Sequence, residues 1–232
     1  MSALTENQIL DIVYSLYETD DAGWDTTSAE YVAGRAFANA AIKRWESFQN
    51  TVWNELWTTL TASTQTVPTL VKTLTAGDYT YTCPTDFRRP SSWVRTLDAN
   101  DAETMWEVVK PQQIATLGES EEKFCYFTGN TKSGFTLNFN PEVTLTTGHT
   151  INYEYYKDAT QFAAITDTTE VPDPYYIVYY VLARFLKNDG EDYAEERSQW
   201  QDLLENMRVE NLTGFFDIAD PIPTVNKYGF GA

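Results

Sequence analysis

The chain has 232 residues, 42% of them apolar and 15% aromatic, enough to bury a core as one domain or two closely packed ones, and this argues against a disordered polymer. Against 16 Lys and Arg stand 34 Asp and Glu, a net charge of −18, which repels a phosphate backbone and argues against conventional DNA binding. The same acidity suits a wall that DNA slides past, and it equally suits simple solubility.

No window approaches the roughly 18 uninterrupted apolar residues of a membrane span. The stretch from Met1 to Tyr17 lacks the basic start, apolar run and small-residue cleavage site of a secretory signal, so a chain made in a cytoplasm is expected. Cys83 and Cys125 are too few for a disulfide scaffold and too far apart for a local metal knuckle. Reduced, half-buried cysteines on strands are the expectation.

From Thr5 to Tyr17 the apolar residues Ile9, Leu10, Ile12, Val13, Leu16 and Tyr17 recur at near-helical spacing behind Thr5, an N-cap residue type. An acidic loop over residues 18–27 leads to Ser28, a second N-cap. From Ala29 to about Leu60, Val32, Phe37, Ala41, Ile42, Trp45, Phe48, Val52, Leu56 and Leu60 recur every three to five residues without an internal proline. The spacing predicts one long helix of roughly 45 Å, weakened at its start by Gly34.

Beyond Thr61 the composition turns to Thr, Tyr, Phe and Val with Gly or Pro between runs, the signature of short strands. Six are predicted: 78–82, 92–97, 104–109, 123–128, 135–139 and 150–156. Alternation places Phe135, Leu137 and Phe139 on one face, and Ile151, Tyr153 and Tyr155 likewise. Pro111 to Leu117 reads as a short helical turn with Pro at its first position. Asp173-Pro174 then opens a helix that runs to Asn188 and stops at Gly190, and a second amphipathic helix follows from about Glu191 to Val209.

The last stretch contains Gly214, Pro221, Pro223, Gly229 and Gly231, yet carries Phe215, Phe216, Ile218, Ile222, Val225, Tyr228 and Phe230. A disordered tail usually lacks such residues. An extended arm that buries these seven on a partner is the expectation, and they are the candidate partner-binding residues. The expected fold is therefore α+β: an antiparallel α-helical bundle, made of the long helix and a C-terminal helix hairpin, with a small inserted β-sheet domain and the arm. Its expected parts are N-terminal helices over 1–62, a β-rich insert over 63–170, the hairpin over 171–210 and the arm over 211–232.

Motifs for chemistry are lacking. His149 follows Gly148 in a predicted turn with no nucleophile context and reads as a surface histidine. The acidic groups at Asp20-Asp21, Asp98-Asp101-Glu103, Glu119-Glu121-Glu122 and Glu191-Asp192-Glu195-Glu196 read as solvated faces, the last at a helix start where negative charge is favoured. No phosphate loop, dinucleotide fingerprint, zinc-hydrolase helix or nucleophile elbow is present. No catalytic residue, metal ligand or cofactor is assigned, and no enzyme is expected. Lys43-Arg44 and Arg88-Arg89 are the basic doublets, expected to pair with acidic neighbours in this chain or another subunit.

The stretch Tyr79-Thr80-Tyr81-Thr82-Cys83-Pro84-Thr85-Asp86-Phe87-Arg88-Arg89-Pro90 resembles the strand, Pro, any, Asp-Phe-Arg segment of head-to-tail adaptor proteins of tailed bacteriophages. Around it, in the same order, come Asn39-Ala40-Ala41-Ile42 and Trp45 upstream, then Phe135 to Pro141, Ile151 to Lys157, and Val171-Pro172-Asp173. The likeness covers about residues 5 to 210, and Cys83 departs from it where an apolar residue is commoner. The resemblance implies a structural virion protein at the head-tail junction, a homo-oligomer forming a dodecameric ring below the portal protein. It further implies a surface for a tail or nozzle protein, an acidic channel for passing DNA, and an arm that reaches the portal or a neighbouring subunit. The competing readings are another neck or tail component, such as a tail-completion protein, and a carbohydrate-binding or glycan-degrading protein that stacks sugars on its Trp and Tyr.

Overall fold

The computed structural model of the chain describes residues 3–18, 23–60, 80–97, 102–117, 122–143 and 150–214. Two compact units emerge: residues 1–41, 164–166 and 172–232 in the first, and residues 42–163 and 167–171 in the second.

The first unit is helical. Helix α1 (Glu6–Glu18) opens with a capping box: the Thr5 amide donates to Gln8 Oε1 at 2.9 Å, and the Gln8 amide returns to Thr5 Oγ1 at 3.3 Å. Its buried face is Ile9, Leu10 and Val13, together with Glu6, whose Oε1 accepts from Arg35 Nε at 2.6 Å. Arg35 belongs to α2 (Ala29–Glu46), which gives residues 29–41 to this unit. At Gly34 a Cβ would stand 3.0 Å from Leu10 Cδ2, so the glycine is where α1 and α2 approach closely.

Helix α4 (Tyr175–Asp189) buries Tyr176, Ile177, Val178, Val181, Leu182, Ala183 and Phe185, too wide an arc for a surface helix. Asp173 Oδ1 accepts from the Tyr175 amide at 2.9 Å, and Pro174 already has helical angles. The helix ends at Gly190, φ 78, where the Glu191 amide bonds back to Leu186 O at 2.9 Å, a closure that a left-handed glycine permits. Trp24, Phe37 and Tyr17 gather around Phe185 with ring centroids 4.9, 5.3 and 5.6 Å away, and the Tyr176 hydroxyl donates to Ala41 O at 3.0 Å. Helix α5 (Ala194–Gly214) packs against α4 through a narrow buried stripe, Trp200, Leu204, Met207 and Asn211. It runs past Val209, so residues 211–214 are helix, while residues 215–232 lie outside the described ones.

The second unit is built on one mixed, curled sheet of seven strands. The strands are β1 (Trp57–Leu60), β2 (Thr80–Thr82), β3 (Phe87–Leu97), β4 (Glu103–Val108), β5 (Phe124–Asn130), β6 (Gly134–Phe139) and β7 (Thr150–Lys157). Their order is β1-β7-β3-β4-β5-β6-β2, and every neighbouring pair is antiparallel except β4 and β5. A parallel pair needs a crossover, and α3 (Pro111–Leu117) lies in it. Leu60, Val94, Trp106, Cys125, Leu137, Phe139, Ile151 and Tyr153 form the buried layer, with the period-two spacing expected for β6 and β7.

The expected antiparallel helical bundle with a small inserted sheet is overturned: among the described residues, five α-helices accompany a seven-stranded sheet that is a body in its own right. The physical cause lies at Glu46, where the supposed long helix stops. Ser47 Oγ turns back to Lys43 O at 2.8 Å, Gln49 and Asn50 adopt left-handed angles (φ 46 and 56), and Thr51 is extended. This reversal stacks Trp45 on Trp53, centroids 4.9 Å apart, and lets Trp53 Nε1 donate to Trp45 O at 2.8 Å. Burying two indoles together outweighs continuing the helix, and Trp57-Thr58-Thr59-Leu60, rich in strand formers, becomes β1 instead.

Candidate functional site

The adaptor-like stretch from Tyr81 to Pro90 leads from the edge strand β2 into β3 and acts as a lock between strands. The Cys83 amide bonds to Phe135 O at 2.9 Å, and the Phe87 amide closes a turn onto Pro84 O at 3.1 Å. Asp86 stands at that turn: its Oδ1 accepts from the Tyr155 hydroxyl at 3.0 Å and its carbonyl from the Asp158 amide at 2.7 Å. Phe87, buried, stacks between Phe127 and Tyr155, with centroids 5.0 and 5.5 Å away. Asp and Phe in this order thus tie the start of β3 to β7, the Asp by hydrogen bonds and the Phe by ring contact.

The two arginines that follow diverge. Arg88 Nη1 lies 2.6 Å from Glu46 Oε1, a close ion pair without hydrogen-bond geometry. Glu46 is buried at the end of α2 and also receives Lys43 Nζ at 3.0 Å and the Ala159 amide at 3.3 Å. Burial pushes the Glu46 carboxyl up, but hydrogen bonds from Lys43 and Asp158 and the charges of Lys43 and Arg88 outweigh it and hold the group below the usual carboxylate range. Asp158 moves the other way: burial, then its hydrogen bond to Glu46 and the charge there, raise it. The pair therefore holds its negative charge on Glu46 and its proton on Asp158 longer than free carboxyls would.

Arg89 pairs with no carboxylate among the described residues; its guanidinium lies over the Tyr156 ring, 4.3 Å from the centroid. Tyr156 is itself fixed, since its hydroxyl oxygen accepts from the Trp53 amide at 2.9 Å and Trp57 meets its ring edge-on at 5.7 Å. Between the arginines opens a cleft of about 150 Å³ lined by Glu46, Ser47, Asn50, Thr51 and Tyr156. A second hollow of the same unit, about 500 Å³, is walled by Trp57, Pro90, Val108, Val109, Pro111 and Phe127.

The candidate partner-binding residues of the arm, Phe215, Phe216, Ile218, Ile222, Val225, Tyr228 and Phe230, lie outside the described residues, as do His149, Asp20, Asp21, Asp98, Asp101, Glu119 and Glu121. Of the remaining acidic groups, Glu103 faces Arg95 at 3.5 Å, and Asp192 Oδ1 accepts from the Ala194 amide at 3.0 Å where α5 begins. Among the described residues no group of His, Cys, Asp and Glu could hold a metal, and no helix is long and apolar enough to cross a membrane. Cys83 and Cys125 are free and buried. Sequence reasoning passed over Glu46 and Asp158, because one ends an apolar helical stripe and the other follows a strand, and neither lies in an acidic run. The doublet Arg88-Arg89 was the visible signal, and it fits the expected pairing for Arg88 alone.

No match to the chain is found among the curated proteins. The family model of the SU10 adaptor protein matches residues 15–213, a span that takes in both units and the whole Pro84-to-Arg89 segment. With most of its length so matched, the chain belongs to the SU10 adaptor protein family, structural proteins of phage head-tail assembly.

Proposed function

We propose that this chain is the head-to-tail adaptor of a tailed phage, assembling below the portal as a ring of about a dozen copies and offering its other surface to a tail or nozzle protein. Membership of the adaptor family is the observation that carries this reading. The net charge of −18 supports the further element that the ring surrounds passing DNA, because an acidic wall holds no polyanion. The role is one of binding, without catalysis. Phe215, Phe216, Ile218, Ile222, Val225, Tyr228 and Phe230 are the proposed anchors on the portal or a neighbouring copy; a segment that orders on contact adds affinity through burial at an entropic cost.

Immunogold electron microscopy of the phage particles with antibody against this chain tests the location. Label at the head-tail junction is expected, and label at the tail tip, or none, overturns the reading. For the arm, the chain shortened after Gly214 keeps α5 and its buried Asn211. It is expected to retain the circular dichroism and cooperative melting of the full chain and to lose attachment to portal-bearing capsids in a pull-down. Attachment at full strength would remove the arm from the mechanism.

A further inference from the structure

We propose that the cleft beside Arg89 is an acceptor site for a single carboxylate, supplied by an acidic side chain of a second copy of this protein. Lys43 and Arg88 both meet Glu46 inside the fold, whereas Arg89 is exposed and meets no carboxylate among the described residues. The guanidinium stacks on Tyr156, and stacking leaves its in-plane N–H groups free for a bidentate acceptor. The platform is rigid, because Trp53 and Trp57 hold the tyrosine from two sides. Arg89 is thus already oriented, and an acceptor that binds it loses less side-chain entropy than one that must order a free arginine.

The rim of the cleft points to the same ligand. Gln49 and Asn50 take consecutive left-handed conformations, φ 46 and 56, an uncommon pair for residues other than glycine. That bend brings Asn50 and Thr51 to the cleft beside Arg89. The side chains of Asn50 and Thr51 make no hydrogen bond within the described residues, so an amide and a hydroxyl accompany the guanidinium. About 150 Å³ takes a carboxylate with its waters and is small for a sugar-phosphate unit. Lys43, Arg88 and Arg89 outnumber the carboxyl groups Glu46 and Asp158 beside them, so the surroundings of the cleft keep a positive surplus for an incoming carboxylate. A nucleic-acid strand would bring many charges towards a chain of net −18, while one Asp or Glu brings one.

The choice of a second copy rests on the ring reading; the carboxylate site does not. Copies that carry 34 acidic and 16 basic residues repel one another unless carboxylates of one meet cations of the next. Two measurements on the full-length protein separate the claims. In the first, the Nε–H resonance of Arg89, identified by its loss in Arg89→Gln, is followed by NMR while sodium acetate replaces sodium chloride at constant ionic strength. A saturable shift is expected in the wild type, and in Asp158→Asn as a folded control; an unmoved resonance overturns the site. In the second, sedimentation velocity over a concentration series measures self-association. Arg89→Gln is expected to weaken it about fivefold and Arg89→Lys to restore only part, as the loss of one exposed, oriented ion pair predicts. Equal self-association of wild type and Arg89→Gln overturns the second copy as the source. A protein that binds acetate at Arg89 but is labelled away from the head-tail junction would refute the ring reading and leave the acceptor site standing.

Discussion

Cys83 and Cys125 lie in the aromatic layer of the sheet, and burial raises both thiols, Cys83 to about 11 and Cys125 further. At about pH 8, where a free cysteine begins to ionise, neither is a nucleophile. Ellman's reagent is therefore expected to titrate both at once on addition of denaturant and neither over minutes in the native protein. The Glu6 and Arg35 pair is the next residue-scale dependence: Glu6 is 0% exposed, so Arg35→Met leaves a buried carboxylate without its cation and costs about 3 kcal/mol in urea unfolding. Replacing both residues by leucine is expected to cost less than the sum of the single changes. Glu46 and Asp158 make stability depend on pH with opposite signs. The raised carboxyl of Asp158 contributes fully below the ordinary carboxylate range and loses its contribution as pH rises through its folded value; the lowered Glu46 contributes above that range and fades as pH falls through its own. Asp158→Asn keeps a donor for Glu46 at any pH. Its unfolding free energy relative to wild type is expected to improve from about pH 4 to about pH 7, and a constant difference would show that the shared proton has no energetic weight.

At the level of elements, those with local signals were legible. Thr5 and Asp173 mark helix starts through their side chains and Gly190 marks a stop through its left-handed backbone, none of which needs a distant partner, and all three act as the sequence implies. The strands from β4 to β7 follow from alternation and turn residues to within two positions, whereas β3 starts at Phe87, five residues before the expected start at 92. The failure at α2 has a specific cause: Phe48, Val52 and Leu56 keep helical spacing, but the energy that ends the helix is the contact of Trp45 with Trp53, which spacing does not encode. Gly34 illustrates the same limit, since its value lies in the approach of Leu10 from another helix rather than in α2 itself. The reversal after Glu46 also carries strain that can be relieved. Gln49→Gly removes a Cβ from a left-handed position on an exposed residue, and is expected to raise the urea midpoint, by about 0.5 to 1 kcal/mol in stability.

For the whole molecule, the order of elements was readable and their assembly was not. Periodicity shows which face of a strand is buried, and it is silent on which strand lies beside which. Nothing in Trp57-Thr58-Thr59-Leu60 announces that it pairs with β7, nor that β4 and β5 run parallel across a short helix. A bundle with a small insert was the economical arrangement of the same segments, and the seven-stranded sheet displaced it. The adaptor stretch was legible as a family mark, yet its place as the tie of β3 to β7 and β5 depends on Tyr155 and Phe127 around Asp86 and Phe87, which the stretch itself does not encode.

The pairing of β1 with β7, Trp57 opposite Tyr156, has a consequence for synthesis on the ribosome. The partner of this first strand is the last one translated, so Trp57 to Leu60 must wait, exposed, until Lys157 has left the exit tunnel, while the β5 and β6 hairpin can close at once. During that interval the nascent chain carries an open sheet edge, and a translational pause before Lys157 has cleared the tunnel would lengthen the time in which neighbouring polysomes could exchange it.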